Sequence, residues 1–160
     1  MVDAARSAQM AKVRGKDTKP EIRVRRALHA AGLRFRLHAK ELPGKPDIVF
    51  RSRRIAIFVH GCFWHRHDDP ECKLARLPKT RLDFWLPKLD ANRQRDERTL
   101  DTISSLGWEP IVIWECQTKD KSTLDALINW ISGRSRLRDV APSAKLLERG
   151  RDGEESETGT

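Results

Sequence analysis

The five apolar residues Ile55-Ala56-Ile57-Phe58-Val59 stand between a basic stretch and a histidine, the pattern of a strand buried on both faces. Ile111-Val112-Ile113-Trp114 and the shorter Asp47-Ile48-Val49-Phe50 repeat it. From Leu33 to His38 apolar residues alternate with basic ones, which predicts a half-exposed strand. Helical signals lie on either side. Thr18 is placed to cap a helix with Pro20 in its first turn and Glu21 closing a capping box; Ile22, Ala27, Leu28 and Ala31 follow, and Gly32 stops it. Thr80 is expected to cap a short segment carrying Phe84 and Trp85. A further helix is expected after Pro87, through Leu89, Leu100 and Ile103, to a stop at Gly107. Ser122 is expected to cap a last helix bearing Leu124, Leu127, Ile128 and Ile131, closed by Gly133. The order helix, strands, helix, strand, helix predicts an α/β fold, a mixed central sheet flanked by helices.

That pattern covers residues 17–133, one domain for a chain of 160 residues. Residues 1–16 are polar, basic and aperiodic, and are expected to form a flexible arm. Residues 134–160 are rich in Gly, Ser, Arg and Glu, offer little to bury, and are expected to be disordered. The net charge is +9, and residues 1–60 alone hold 15 Lys and Arg against 5 Asp and Glu. One side of the fold should therefore face a polyanion, although a solvated basic surface explains the charge equally well. No apolar run approaches a membrane span, and the N-terminus lacks the apolar core of a signal peptide. Three unevenly spaced cysteines are not a disulfide framework, so a reducing, cytoplasmic setting is expected.

Chemistry concentrates in one place. The strand over 55–59 empties into His60-Gly61-Cys62-Phe63-Trp64-His65-Arg66-His67, at the head of an irregular stretch over 60–79. A loop this long inside a compact domain calls for a function or an organising ion. Cys62, His67, Cys72 and the distant Cys116 supply three thiolates and one imidazole, a closed tetrahedral Zn2+ shell; His65 is a rival fourth ligand. Pro70 and the carboxylates Asp68, Asp69 and Glu71 argue against the loop cysteines being merely buried apolar groups. Asp47, at a strand start after Pro46, by itself reads more simply as a turn residue than as a ligand. Beside His60, His65 and a basic first third, metal-assisted phosphodiester hydrolysis becomes competitive, with an imidazole deprotonating water. Phe63, Trp64 and Trp85 are candidates for stacking on bases, whereas Phe84, Trp108 and Trp114 read as core. Capping accounts for Glu21 in full.

A wider set of residues carries a resemblance: Met10, Lys16-Asp17-Thr18, Glu21, Leu42-Pro43-Gly44-Lys45-Pro46-Asp47, the block from His60 to His67, Pro78-Lys79-Thr80-Arg81, Phe84-Trp85, Lys88, Asn92, Arg95-Asp96, Gly107-Trp108 and Trp114-Glu115-Cys116. In this order and spacing the chain resembles the very short patch repair (Vsr) DNA mismatch endonucleases from about Met10 to Ile131. The resemblance implies a restriction-endonuclease-like fold with a structural zinc site. It implies a nuclease that nicks DNA on the 5′ side of the T in T·G mismatches left when 5-methylcytosine deaminates. By position, Asp47 and the backbone carbonyl of Val59 would hold Mg2+, and His65 would be the general base. His60 would be a second imidazole near the scissile phosphate, and Glu21 a carboxylate that orients an imidazole. Cys62, His67, Cys72 and Cys116 would be the zinc shell, and Phe63, Trp64 and Trp85 would wedge into the duplex. The resemblance further implies a monomer acting on double-stranded DNA at the bacterial nucleoid. Its function would be linked to a cytosine-5 DNA methyltransferase and to other repair proteins, with no membrane partner.

Three positions depart from familiar patterns. A restriction-type site would place an acid and a lysine where Phe58 and His60 stand, a departure itself typical of the Vsr group. Val59 replaces the threonine of the best-known family members, and the loop between His67 and Cys72 is longer than theirs. Two other functions compete: a restriction-like endonuclease without mismatch specificity, and a non-catalytic, zinc-stabilised DNA-binding module.

Overall fold

A computed structural model describes residues 16–134. The expected arm over 1–16 and tail over 134–160, Met10 included, lie outside the described residues except for Lys16 and Arg134. Among the described residues, three α-helices and four strands run in the order α1 (Lys19–Ala30), β1 (Arg36–Leu37), β2 (Ile48–Phe50), β3 (Ile55–His60), α2 (Leu82–Ser105), β4 (Glu109–Trp114) and α3 (Lys121–Ser132). The sheet order is β1-β2-β3-β4, antiparallel as far as β3 and parallel between β3 and β4, so α2 lies in the crossover. The expected mixed sheet with flanking helices is what forms. No helix among the described residues is long and apolar enough to cross a membrane.

Side-chain alternation along β3 assigns the layers. Ile55 and Ile57 pack with Val24 and Leu28 of α1 and with Leu127 and Ile131 of α3. Ala56 and Phe58 pack with Val49 and with Ile103 of α2. Helices α1 and α3 thus cover one face and α2 the other, so β3 is buried on both sides as its unbroken apolar run requires. The same alternation turns His60 toward α2.

Several local expectations give way to tertiary context. The alternation from Leu33 to His38 yields only the two-residue β1, with Leu37 exposed, because the edge strand has just the start of the three-residue β2 to pair with. Thr80 caps nothing. Arg81, in the left-handed region at φ 60°, precedes one continuous helix that passes through Pro87. Pro87 lacks the N–H that would bond the Asp83 carbonyl, but packing on both sides offsets that loss. Trp85 is held by Phe63 and Trp64, and Leu89 is fully buried. The last helix is capped by Asp120, whose carboxylate accepts the Ser122 N–H, and not by Ser122. The first helix starts as expected, with the Thr18 hydroxyl accepting the Glu21 N–H.

The turn before Asp47 is tucked against α2. Gly44 has φ +71°, and a Cβ there would run into the Thr99 methyl group and the Phe58 ring. Gly44→Ala combines left-handed strain with overpacking and is expected to cost about 2–5 kcal/mol. A urea denaturation curve would show this as a lower midpoint.

Candidate active site and metal centre

Asp47 immediately precedes β2. Its backbone is woven into the sheet: its N–H donates to the Ile57 carbonyl at 3.0 Å, and its carbonyl accepts from His38 N at 3.1 Å. Its side chain turns across to β3, where Oδ2 accepts the Val59 N–H at 2.7 Å. Alternate residues of a strand point their backbone groups the same way, so the Val59 carbonyl faces the β2 side as Ile57 does, beyond the start of β2. A backbone oxygen and a carboxylate therefore share one strand mouth. Burial pushes the Asp47 carboxyl up to about 6, against the lowering effect of the Val59 hydrogen bond; Glu21 nearby adds repulsion. A carboxylate whose charge is this poorly compensated fits a divalent cation, as do the oxygen donors around it.

One residue past Val59, His60 is buried and stacked on His65, with ring centroids 4.0 Å apart and an interplanar angle of 6°. Burial holds His60 down to about 3, so it stays neutral at working pH. His65 is different. Its Nδ1 lies 2.5 Å from Asp96 Oδ2, on α2. A carboxylate oxygen accepts, so this contact assigns a proton to Nδ1 and makes Nε2 the free nitrogen of the neutral ring. Asp96 was not singled out for this role by its own position in the sequence. The available signal was spacing: Trp85, Lys88, Asn92 and Asp96 recur every three or four residues and share one helix face.

The loop ligands converge. Donor atoms of Cys62, His67, Cys72 and Cys116 all lie within 4.8 Å of one another. A tetrahedral zinc with Zn–S bonds of roughly 2.3 Å spans donor separations of this order. Cys62 is fully buried, the His67 N–H donates to its carbonyl at 3.0 Å, and the Trp114 indole stacks on the His67 ring at 4.4 Å. Burial raises the Cys62 and Cys116 thiols and lowers His67, favouring a neutral imidazole. Three thiols gathered around a neutral imidazole at a half-buried site suit a soft-ligand ion, and the cluster can hold a metal. His65, the rival ligand, is engaged with Asp96 instead.

Glu21 lies 4.0 Å from an imidazole, but that imidazole is His38, and neither His60 nor His65 is among its hydrogen-bond partners. Its oxygens take the Asp17 N–H, the Thr18 hydroxyl and Arg25. Arg25 reaches Asp17 at 2.8 Å, Glu21 at 2.9 Å and His38 Nε2 at 3.0 Å, so a guanidinium fills the centre of this acidic group. Neither Arg25 nor His38 was read as part of a site from the sequence.

The aromatic residues form an outlying cluster. Phe63 lies 5.1 Å from Trp64 and 5.3 Å from Trp85, and the Lys88 ammonium sits over the rings of Trp64, Phe84 and Trp85. Phe84, read as core, is 42% exposed and belongs to this cluster. Trp108 and Trp114 are partly buried, Trp108 against the α2 side of the core.

A carboxylate beside a backbone carbonyl, an imidazole oriented by a second carboxylate and a basic chain suit a hydrolase acting on a phosphate ester. Comparison with known proteins agrees. The family profile described as DNA mismatch endonuclease Vsr matches residues 1–73. The chain is 53% identical over 117 residues to the type II nicking enzyme V.XorIIP of Xanthomonas oryzae pv. oryzae, covering 73% of this chain and 84% of that one. It is 39% identical over 143 residues to the DNA mismatch endonuclease Vsr of Escherichia coli, covering 86% and 90%. The type II nicking enzyme V.NmeAIP of Neisseria meningitidis is 40% identical over 124 residues. The chain belongs to the Vsr family of DNA mismatch endonucleases and is, with that family, a DNA endonuclease.

Proposed function

We propose that the protein nicks double-stranded DNA on the 5′ side of the T in T·G mismatches arising from 5-methylcytosine deamination, in an Mg2+-dependent reaction that begins very short patch repair. The observation that carries this reading is the His65–Asp96 pair directly following Trp64 in the aromatic cluster. A proton acceptor and a wedge occupy consecutive residues. A wedge favours a pair that is already weak, because unstacking it costs less.

Asp47 and the Val59 carbonyl are the residues that would hold Mg2+, which when bound polarises the scissile phosphate and screens its charge. His65 Nε2 takes a proton from the attacking water while the water oxygen bonds to phosphorus and the P–O3′ bond breaks; the departing 3′ oxygen takes its proton from solvent, and Asp96 stabilises the imidazolium that results. His60, kept neutral, braces the His65 ring face to face and sits near the phosphate. Glu21 backs the Asp47 mouth with His38 and Arg25 beside it. Zn2+ is the ion for Cys62, His67, Cys72 and Cys116, and its task is to fasten the loop to the end of β4. Phe63, Trp64 and Trp85 enter the duplex. A restriction-endonuclease-like sheet, a monomeric state, a place at the bacterial nucleoid and a functional link to a cytosine-5 methyltransferase and other repair proteins complete the proposal.

Rates on T·G, T·A and C·G duplexes of one flanking sequence, with and without Mg2+, test it. Nicking confined to T·G with Mg2+ is expected; equal cutting of paired DNA would leave a nuclease without mismatch specificity. Asp96→Asn is expected to lower kcat by about 10²–10⁴-fold, because the His65 tautomer is no longer fixed, while DNA affinity holds. Single-turnover nicking alongside fluorescence anisotropy separates the two.

A further inference from the structure

The face of α2 that carries Trp85, Lys88, Asn92 and Asp96 runs along the loop residue by residue. Trp85 meets the rings of Phe63 and Trp64; Lys88 lies over the Trp64 ring; Asp96 holds the His65 imidazole. Between them Asn92 Nδ2 donates to the Trp64 backbone carbonyl at 3.1 Å. Arg95 donates to Asn92 Oδ1 at 3.3 Å, which leaves the Asn92 NH2 group facing the loop.

That carbonyl belongs to the peptide unit joining Trp64 to His65. The other end of the same unit, the His65 N–H, donates to the Gly61 carbonyl at 3.1 Å. With both polar groups taken, the plane is held unless one of these two hydrogen bonds breaks. Swivelling is the motion by which the Trp64 ring and the His65 imidazole would reorient independently, since the peptide unit itself is rigid.

We propose that Asn92 is a positioning residue that couples seating of the Trp64 ring in DNA to the aim of the His65 imidazole. The inference rests on the reading of Trp64 as a wedge and His65 as the base. A ring that enters a weakened pair leaves the peptide unit in the register it already has against α2, with His65 on Asp96. A ring pushed back by a well-stacked pair pulls the unit off Asn92 and misdirects the imidazole. Mismatch preference is then expressed in the chemical step as well as in binding.

The test places 2-aminopurine beside the mispaired T, where its brightening reports unstacking, and follows single-turnover nicking on the same duplex. Asn92→Asp keeps the size but replaces the donor with a carboxylate that repels the Trp64 carbonyl. It is expected to brighten 2-aminopurine fully while nicking about 10- to 100-fold more slowly, the scale of a small misplacement of reacting groups. Its preference for T·G over T·A should shrink. Asn92→Gln, which retains a donor, should recover part of the rate, and Asn92→Ala should behave as Asn92→Asp by simple deletion. Asn92→Asp combined with Asp96→Asn should be no slower than Asp96→Asn alone, because both act on one imidazole. Wild-type nicking by the Asp and Ala variants would overturn the coupling, as would loss of brightening together with nicking. A wild-type protein that brightens the probe but nicks no mispair would overturn the proposed function along with it.

Discussion

Asp47→Asn is expected to abolish nicking and, at the same time, to stabilise the metal-free protein. Its carboxyl is raised from an ordinary 3.8 to about 6, chiefly by burial. A carboxylate with a raised folded-state value disfavours the native state once it ionises. The penalty is absent below the unfolded value, builds as pH rises from about 4 to about 6, and is level above that; at neutral pH it amounts to about 2–3 kcal/mol. Asparagine removes the charge but can still accept the Val59 N–H, so the gain should appear in full. Alanine leaves that N–H unpaired and should forfeit much of it. Loss of the cation's carboxylate removes several kcal/mol of charge stabilisation, about 10³-fold or more in rate. Thermal melts without added Mg2+ at pH 5 and pH 8, with a nicking assay alongside, measure both effects. A related consequence is that Mg2+ should bind more weakly below pH 6, where it must displace a proton from Asp47.

Cys116→Ser is expected to do the opposite, losing stability and activity together while leaving every group at the Asp47 mouth intact. Cys116 alone among the four candidate ligands comes from outside the loop, at the start of the turn after β4. Without it the ion would no longer fasten residues 62–72 to the sheet, and His65 and Trp64 travel with that loop. Structural zinc in small domains contributes on the order of 10 kcal/mol in apparent binding energy, so a loss of several kcal/mol is expected. Elemental analysis should find one zinc per chain in the wild type and none in the variant, and urea unfolding should move to lower denaturant. An active, zinc-free wild type would remove the metal from the account.

How far such a site can be read from sequence depends on whether a signal is local. The apolar run of β3 announces a strand buried on both faces, and side-chain alternation carries its reading on to His60. Thr18, Pro20 and Glu21 encode the start of α1 within four residues. The spacing of Cys62, His67 and Cys72 also suggests a metal loop, but spacing does not choose between His65 and His67. That choice is made by Asp96, thirty-one residues further along the chain, which engages His65. Pro87 reads as a helix break because the packing of Trp85 and Leu89 on either side of it is tertiary. Phe84 reads as core because composition says nothing about which face of α2 meets solvent. Arg25 and His38 look like unremarkable basic residues until the fold brings Asp17 and Glu21 to them.

The proposed reaction is a hydrolysis of one strand only, set up by Asp47 and His65 at a mispair. The most direct measurement is a single-turnover reaction with Mg2+ on a T·G duplex, the T strand end-labelled in one tube and the G strand in another. One product is expected, from the T strand alone, cut at the phosphate 5′ to the mispaired T, and none from Asp47→Asn. Two intact strands, equal cutting of both, or an active Asp47→Asn would contradict it.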